Sequence, residues 1–326
     1  MKVFHVGITA PSYSSESITK SFKDVFGDCL FFDWQLHRFS YGTETMRSNL
    51  LLEAKTYQPD VIFLHLNHNS EALSIVNYEE LSKIAFTITY TEDVRENIDW
   101  FKTITPIVGL SIFTNIDDVE TLKSKGVNNA MYLPVSYNDI WYKKQPKTER
   151  YYGDIVFLGN NYVGTNLNFP KAQERQDMIA ALKKEFGDKF QAYGLGQENK
   201  MLNPQEAIEC YNNAKIAIGH NNFTRKGYQS DRCLNSMGCG CLTIMQHYEG
   251  IGYVDYGFPL RVVIAGEIMQ ERDVWDSFEK LISMCKRYLL NDNIREMLAE
   301  KQHNKVTENH TWKQRAESIK SIIENK

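Results

Sequence analysis

Three cationic residues lie close to a short predicted helix in the second half of the chain. Arg225 and Lys226 come just before the stretch from Gly227 to Cys241, and Arg232 lies near the start of the helix that this stretch predicts. Free amides at a helix N-terminus attract anions, and neighbouring cations strengthen that attraction. The stretch therefore predicts a site for a diphosphate, while a solvated loop beside an ordinary helix fits the same residues.

A candidate base follows a predicted strand in the first half. Glu92 and Asp93 come directly after the strand that ends at Tyr90, with Arg95 close behind. Carboxyl ends of strands are where cleft residues lie, so Asp93 could act as a base. An N-cap for a helix beginning near Val94 is an equally good interpretation.

Glycine-ended strands supply further candidates. Gly7 closes the first strand and precedes small and hydroxyl residues, and Gly159 closes a matching strand in the second half, before Asn160, Asn161 and Tyr162. Such turns let backbone amides approach a ligand, and asparagine side chains add donors. Gly194 ends the next strand and could leave room for a flat nucleobase against the exposed backbone. Plain turns are the alternative at each position.

Other chemistries find little support. The chain has no Gly-x-Gly-x-x-Gly motif, phosphate loop or Gly-x-Ser-x-Gly elbow. His65 and His68 follow the third strand, but a metal needs more ligands, and a core or edge histidine is the safer interpretation. The six cysteines form no zinc pattern. No metal site and no cofactor are predicted.

Alternating strands and helices must position these residues. The pattern is typical of strand-helix-strand units with parallel sheets. Predicted strands cover 2–7, 29–33, 60–66, 84–89, 107–113, 129–133, 154–159, 189–193, 215–219, 241–245 and 260–264, and 273–290, 292–307 and 312–325 are predicted helices. A polar, Pro-containing stretch at 137–152 separates domains 1–145 and 146–326, with the helix at 312–326 packing back toward the first. Two such sheets would face each other across a cleft.

Bulk properties limit the class of protein. The chain has 326 residues, enough for two domains, and a net charge of -4, which disfavours a surface that coats nucleic acid or membranes. No apolar run is long enough to span a membrane. Reduced cysteines and the absence of a signal peptide predict a cytoplasmic protein.

The second half resembles the CgeB-like group of GT-B glycosyltransferases. The resemblance rests on four segments in order, with a looser match in the first half through Glu92-Asp93-Val94-Arg95 and Tyr132-Leu133-Pro134. The segments are Asp154 to Tyr162, Tyr193-Gly194, Ser230-Asp231-Arg232 through Gly240, and Asn309-His310-Thr311-Trp312 with Arg315.

The resemblance implies an α/β fold with two Rossmann-like domains and a metal-independent transfer of a sugar from a nucleotide diphosphate, with UDP as the expected nucleotide, to a hydroxyl acceptor. The second domain would bind the donor and the first mainly the acceptor. Asp93 is the candidate catalytic residue. The candidate donor-binding residues are Gly7, Gly159, Asn160, Asn161, Tyr162, Gly194, Arg225, Lys226, Tyr228, Asp231, Arg232 and Asn235.

Two departures from the group's pattern keep alternatives open. Asn235 replaces a glutamate that usually bonds the donor ribose, and Glu92 replaces a glycine. A hydroxymethylated base in DNA remains a possible acceptor, beside a glycan, a small molecule or a protein. A non-catalytic protein that binds nucleotide sugars is the competing interpretation.

Overall fold

A computed structural model of the chain describes residues 1–10, 14–66, 72–94, 98–167, 169–252, 254–255, 262–264, 267–269 and 274–325. The chain divides into two compact units. Unit 1 comprises Met1–Val135, Arg225–Tyr228 and Trp312–Lys326, and unit 2 comprises Ser136–Thr224 and Gln229–Thr311. The chain first passes from unit 1 to unit 2 after Val135, just upstream of the predicted linker at 137–152. The short segment 225–228 belongs with unit 1.

Unit 1 is a parallel six-stranded sheet covered by helices on both faces. Its strands are β1 (Lys2–Gly7), β2 (Asp28–Asp33), β3 (Val61–His65), β4 (Phe86–Thr91), β5 (Leu110–Phe113) and β6 (Ala130–Tyr132). Its helices are α1 (Ser15–Phe26), α2 (Trp34–Tyr41), α3 (Thr43–Tyr57), α4 (Ile75–Ile84), α5 (Asp99–Ile104) and α6 (Ile116–Ser124), with α12 (Trp312–Glu324) from the end of the chain.

The core of unit 1 has two halves, one on each face of the sheet. Ile62 and Leu64 pack into one half, whereas Val61 and Phe63 pack into the other, beside α1 and α12. Because side chains alternate along a strand, an uninterrupted apolar run is what a strand covered on both faces requires. Trp312, the first residue of α12, is completely buried in the second half.

Unit 2 contains a parallel five-stranded sheet and a separate antiparallel hairpin. The sheet consists of β7 (Ile155–Leu158), β8 (Phe190–Tyr193), β9 (Ile216–Gly219), β10 (Leu242–Gln246) and β13 (Val274–Trp275), and the hairpin of β11 (Val262–Ile264) and β12 (Glu267–Met269). Its helices are α7 (Ala172–Phe186), α8 (Pro204–Asn213), α9 (Asp231–Gly238), α10 (Phe278–Leu290) and α11 (Asp292–Asn309).

Local signals explain several helix boundaries in unit 2. Asn203 caps α8 by accepting from the Glu206 amide, while the Glu206 carboxylate accepts from the Asn203 amide, and Pro204 occupies the first turn. The prediction of a helix from 273 onward was wrong at its start. Val274 and Trp275 pair with β10 as a short strand before the helix begins.

The five strands of the unit 2 sheet follow the same order as the first five strands of the unit 1 sheet. Unit 1 reads β2-β1-β3-β4-β5-β6, and unit 2, taken from β8, reads β8-β7-β9-β10-β13. The chain therefore leaves β1 and β3, and likewise β7 and β9, in opposite directions. This topological switch opens a crevice outside the carboxyl ends of the two strands, where ligands bind in open α/β sheets. Across the described residues, no helix is long and apolar enough to cross a membrane.

Candidate functional site

A small cavity lies at the switch point of unit 2. Its lining combines the ends of β7 and β9 with the start of α9, namely Phe157, Leu158, Tyr211, Ala217, Ile218, Gly219, His220, Ser230, Arg232, Cys233 and Ser236. Its volume of about 10 Å³ has room for one water molecule. A single polar atom, such as one phosphate oxygen, would fit there in place of water.

Arg232 and the first turn of α9 give this cavity positive character. Ser230 precedes the helix with extended backbone, and its side chain makes no capping hydrogen bond. The first amides of a helix lack intrahelical partners and carry partial positive charge. The guanidinium of Arg232 is a permanent cation beside them. The cavity is therefore suited to an anionic group.

A fully buried arginine ties the two strand ends together. Arg175 of α7 is 0% exposed. Its Nη1 donates to the Asn160 carbonyl at 3.1 Å, and its Nη2 donates to the His220 carbonyl at 3.2 Å. Asn160 follows β7 and His220 follows β9, so one planar side chain sets the spacing on both sides of the switch point.

The same arginine determines the tautomer of His220. Arg175 Nε lies 3.5 Å from His220 Nδ1 and is always a donor, so Nδ1 must be the lone-pair nitrogen. In the neutral ring the proton then lies on Nε2. This atom is buried, has no hydrogen-bond partner among the described residues and lies 3.6 Å from Glu174 Oε1. His220 therefore lines the cavity while its Nε2–H faces Glu174.

Glu174 completes the network behind His220. The N–H of the His220 ring that faces it and the nearby Lys171 ammonium, 3.4 Å away, lower the pKa of Glu174 to about 2. Gln246, at the end of β10, also donates to the Glu174 carboxylate. Glu174 is therefore ionised at neutral pH and orients the polar groups around it.

Acidification is expected to destabilise this network. Burial lowers the pKa of His220 from 6.5 to about 4. Between these values the unfolded chain binds more protons, so the stabilising contribution is complete above pH 6.5 and is lost as the pH falls through 4. For Glu174 the corresponding loss falls between pH 4.5 and about 2.

Thermal melting from about pH 7 to pH 4 checks this expectation. His220→Gln removes the ionisable ring, so the variant should lose less stability on acidification than the wild type. Parallel losses in the two proteins would contradict the assignment.

The loop after β7 is held rigidly by the loop after β8. Gly159 N donates to the Tyr193 carbonyl at 2.8 Å, and Asn160 Oδ1 accepts from Leu195 N at 3.0 Å. A Cβ at Gly194 would lie 2.3 Å from the Gly159 carbonyl oxygen, so only glycine fits there. Asn161 accepts from the amide of Val163, two residues on. Hydrogen bonds within and between the loops thus already use several of these polar groups. Contacts of these residues with a nucleotide-sugar donor remain a prediction.

Tyr162 follows the same loop and packs against Phe169, with ring centroids 4.4 Å apart. Asp231 and Asn235 lie in α9. Asn235 is 4% exposed, accepts from Asn138 N at 3.0 Å and donates to Asp231 Oδ2 at 3.4 Å. Both ends of its amide have partners within unit 2, so Asn235 positions α9, and its contact with a donor ribose stays a prediction.

The upstream cations belong to the other unit. Lys226 and its neighbours Arg225 and Tyr228 lie in the segment grouped with unit 1. Lys226 N donates to Asp117 Oδ2 at 2.9 Å, and its ammonium lies 3.2 Å from Glu120 Oε1. Tyr228 N donates to the Arg225 carbonyl at 3.2 Å. Arg232 is therefore the cation that lines the cavity of unit 2, whereas Lys226 belongs to unit 1.

Gly7 and Asp93 both lie at strand ends of unit 1. Gly7 is the last residue of β1, and Asp93 is exposed in the segment after β4. Arg95 and His68 lie outside the described residues. Among the described residues, no group of three His, Cys, Asp or Glu side chains could hold a metal ion.

Sequence reasoning missed Arg175 and His220. One signal for His220 was present, because it directly follows the predicted strand 215–219, at a carboxyl end. Arg175 carried no signal. Nothing in the pattern of α7 distinguishes a buried arginine from the exposed cations common on helices.

Comparisons with known proteins support the fold and the class. Residues 173–321 match a family model described as "Glycosyl transferase-like". No curated protein matches the chain by sequence. The match confirms the prediction of a glycosyltransferase-type enzyme, whereas membership of the CgeB-like group remains a prediction.

Several solved structures share the fold at low sequence identity. HepE of Anabaena, in complex with UDP, has a TM-score of 0.60 and 12% identity and covers 100% of both chains. The T4 phage β-glucosyltransferase in complex with UDP-glucose has a TM-score of 0.56 and 11% identity and covers 98% of both chains. The N-terminal domain of Candida albicans trehalose-6-phosphate phosphatase has a TM-score of 0.58 and 9% identity, over 99% of this chain and 96% of that one. The predicted GT-B fold with two Rossmann-like domains is confirmed.

Proposed function

We propose that this glycosyltransferase moves a sugar from a nucleotide diphosphate donor to a hydroxyl acceptor without a metal ion, and that unit 2 binds the donor. One observation carries the proposal. A cavity at the β7/β9 switch point is lined by Arg232 and by the start of α9. UDP is the nucleotide to test first, because the HepE and T4 phage structures were solved with UDP and UDP-glucose.

Charge development explains why these groups suit the reaction. As the bond between sugar and phosphate breaks, the sugar gains positive character and the diphosphate gains negative charge. A fixed cation and oriented amides stabilise that negative charge without having to reorganise, and in many enzymes such electrostatic stabilisation contributes more to the rate than any other effect. Arg232 and the α9 amides take this role in the proposal.

His220 is proposed to contact the same phosphate. His220 lines the cavity, and its buried Nε2–H group has no hydrogen-bond partner among the described residues. A donor in that position would bind a phosphate oxygen more strongly than a neutral acceptor, because one partner is charged.

Binding of UDP and of uridine separates this role from general stability. His220→Leu is expected to weaken UDP binding roughly tenfold or more and to leave uridine binding unchanged, because the lost hydrogen bond reaches only a charged phosphate. His220→Gln retains an amide donor and should recover part of the loss. Calorimetric titration measures both ligands, and equal losses for UDP and uridine would contradict a phosphate contact.

The acceptor side is proposed to lie in unit 1, where Asp93 is the residue suggested by sequence. Its exposure fits contact with an acceptor. The acceptor remains one of those expected from the sequence, including hydroxymethylated DNA. The cytoplasm is the proposed compartment, and all six cysteines are free thiols, as a reducing compartment favours.

A donor screen tests the function directly. Melting temperatures are measured with a panel of nucleotide sugars, with EDTA present throughout, and the donors that stabilise the protein are then incubated with candidate acceptors for mass analysis. A transferase should gain stability with at least one donor and release its nucleotide. Stabilisation without any transfer or hydrolysis would favour the non-catalytic binder, and no stabilisation by any donor would refute the proposal.

A further inference from the structure

A short strap, residues 225–228, leads into the first turn of α9. The strap groups with unit 1, and the chain returns to unit 2 at Gln229. Only Gln229 and Ser230 separate the strap from Asp231, the first residue of α9. Whatever holds the strap therefore also limits where the first amides of α9 can lie.

The start of α6 holds the backbone of the strap. Ile116 N donates to the Lys226 carbonyl at 2.9 Å, and Lys226 N donates to Asp117 Oδ2 at 2.9 Å. Ile116 is the first residue of α6, so its amide has no partner within the helix and is available as a donor. Both backbone polar groups of Lys226 are thus paired with the first turn of one helix.

The last residue of β6 adds a third contact to this backbone. Tyr132 Oη donates to the Gly227 carbonyl at 2.9 Å. The Lys226 ammonium lies 3.2 Å from Glu120 Oε1, but the Glu120 side chain is 59% exposed, so this ion pair contributes little. Hydrogen bonds to the backbone of the strap, and not its surface charge, therefore hold it in place.

Gly227 is required where the strap contacts α6. Its φ of 73° lies in the left-handed region, which glycine adopts without strain. A Cβ there would lie 3.1 Å from Ile116 Cδ1 and 3.3 Å from Tyr132 Oη. A side chain would therefore strain the backbone and displace the strap from both neighbours.

The two residues after the strap are held by weaker contacts. Ser230, the N-cap of α9, makes no capping hydrogen bond through its side chain. Gln229 Nε2 donates to the Ser230 carbonyl at 3.3 Å, within the loop itself, and lies 3.6 Å from Met245 Sδ, a weak acceptor. The strap therefore supplies the stronger anchor upstream of α9.

We propose that the strap preorganises the donor site, with Tyr132 and Asp117 as positioning residues. The inference rests on the proposed function, in which Arg232 and the α9 amides bind the diphosphate. A site whose donors already lie in the bound geometry loses less conformational freedom on binding and gains affinity. Neither Tyr132 nor Asp117 lines the cavity, so both act through the strap. Lys226 contributes through its backbone.

Tyr132→Phe tests the inference with the loss of one hydroxyl group. The nucleoside diphosphate of the donor selected by the screen is titrated beside its nucleoside, UDP and uridine being the first pair. Diphosphate affinity is expected to fall about three- to tenfold, as for one lost hydrogen bond, whereas nucleoside affinity should not change. Tyr41→Phe, which alters a tyrosine of α2 that is 61% exposed, is the matched control and should bind both ligands as the wild type does.

A pair of glycine variants separates displacement of the strap from backbone strain. Gly227→Ala should weaken diphosphate binding about tenfold or more, because it disturbs the contacts to both Ile116 and Tyr132. Gly126→Ala is the control. Gly126 has a φ of 82°, so alanine is strained there too, but a Cβ would meet no atom within 4 Å. That variant should keep the wild-type affinity even if its melting temperature falls.

Two variants of Asp117 test positioning against a general effect on stability. Asp117→Asn keeps an oxygen that can accept from Lys226 N and should retain most of the diphosphate affinity, whereas Asp117→Ala should lose it. Amide exchange in the strap and in the first turn of α9 should rise in Asp117→Ala. A purely structural role would lower the melting temperature without separating diphosphate from nucleoside binding.

The outcomes distinguish this inference from the proposed function. Diphosphate affinity within twofold of the wild type in both Tyr132→Phe and Gly227→Ala, beside a clear loss in Arg232→Ala, would overturn the inference alone. Equal losses for diphosphate and nucleoside in the strap variants would overturn it as well. Absence of any donor binding by the wild type would overturn both.

Discussion

Replacing Arg232 with alanine is expected to reduce sugar transfer by about 100- to 1,000-fold, as is typical when one stabiliser of developing negative charge is removed. Arg232 lines the cavity at the start of α9 and is only partly buried. Its truncation should therefore affect folding little. The measurement is steady-state release of the nucleoside diphosphate, with the melting temperature taken on the same sample.

Two control variants sharpen this test. Arg232→Lys keeps the charge but not the planar fork, so an intermediate rate is expected. Arg150→Ala removes another arginine of unit 2, which is 49% exposed and pairs with Glu206 at the surface. That variant should keep the wild-type rate, since exposed ion pairs contribute little. A wild-type rate in Arg232→Ala would exclude the residue from the site.

Replacing Arg175 with methionine is expected to lower the free energy of unfolding by about 1–3 kcal/mol or somewhat more, because one buried and one partly buried carbonyl are left without a donor. Those carbonyls belong to Asn160 and His220. Removing a buried charge offsets part of this cost, because the guanidinium itself was desolvated in the fold. Chemical denaturation measures the difference.

Arg175→Lys separates the charge of this residue from its geometry. Lysine restores a cation but cannot donate to both carbonyls in the same plane, so the variant should lie between the wild type and Arg175→Met. The loops after β7 and β9 should also loosen, and amide exchange in these loops should rise. Unchanged stability in Arg175→Met would show that the two strand ends are spaced by other contacts.

Much of the fold could be predicted because its signals are local. The run Val61 to His65 has no polar alternation, as a strand covered on both faces requires, and the structure places it inside the sheet of unit 1. Likewise, Gly159 directly follows a strand in the structure, as the sequence pattern indicated. Hydrophobic periodicity and turn preferences depend on residues that are close together along the chain, so the amino-acid sequence alone is enough to predict them.

Local sequence signals did not predict which of the two units a segment belongs to. Arg225 and Lys226 are close to Arg232 along the chain, yet they group with unit 1, where Lys226 pairs with Glu120. That pairing joins residues over a hundred positions apart. Proximity in sequence therefore did not predict which charges share a unit.

The amino-acid sequence by itself determined the alternation of strands and helices, and with it the α/β class and the glycine-ended strands. Only the tertiary structure decided that Arg175 and His220 share one network and that His65 Nε2 lies 3.2 Å from Glu92 Oε2. The reason is physical. Strand order in the sheet, not distance along the chain, decides which carboxyl ends become neighbours, and the chemistry of a site depends on those neighbours.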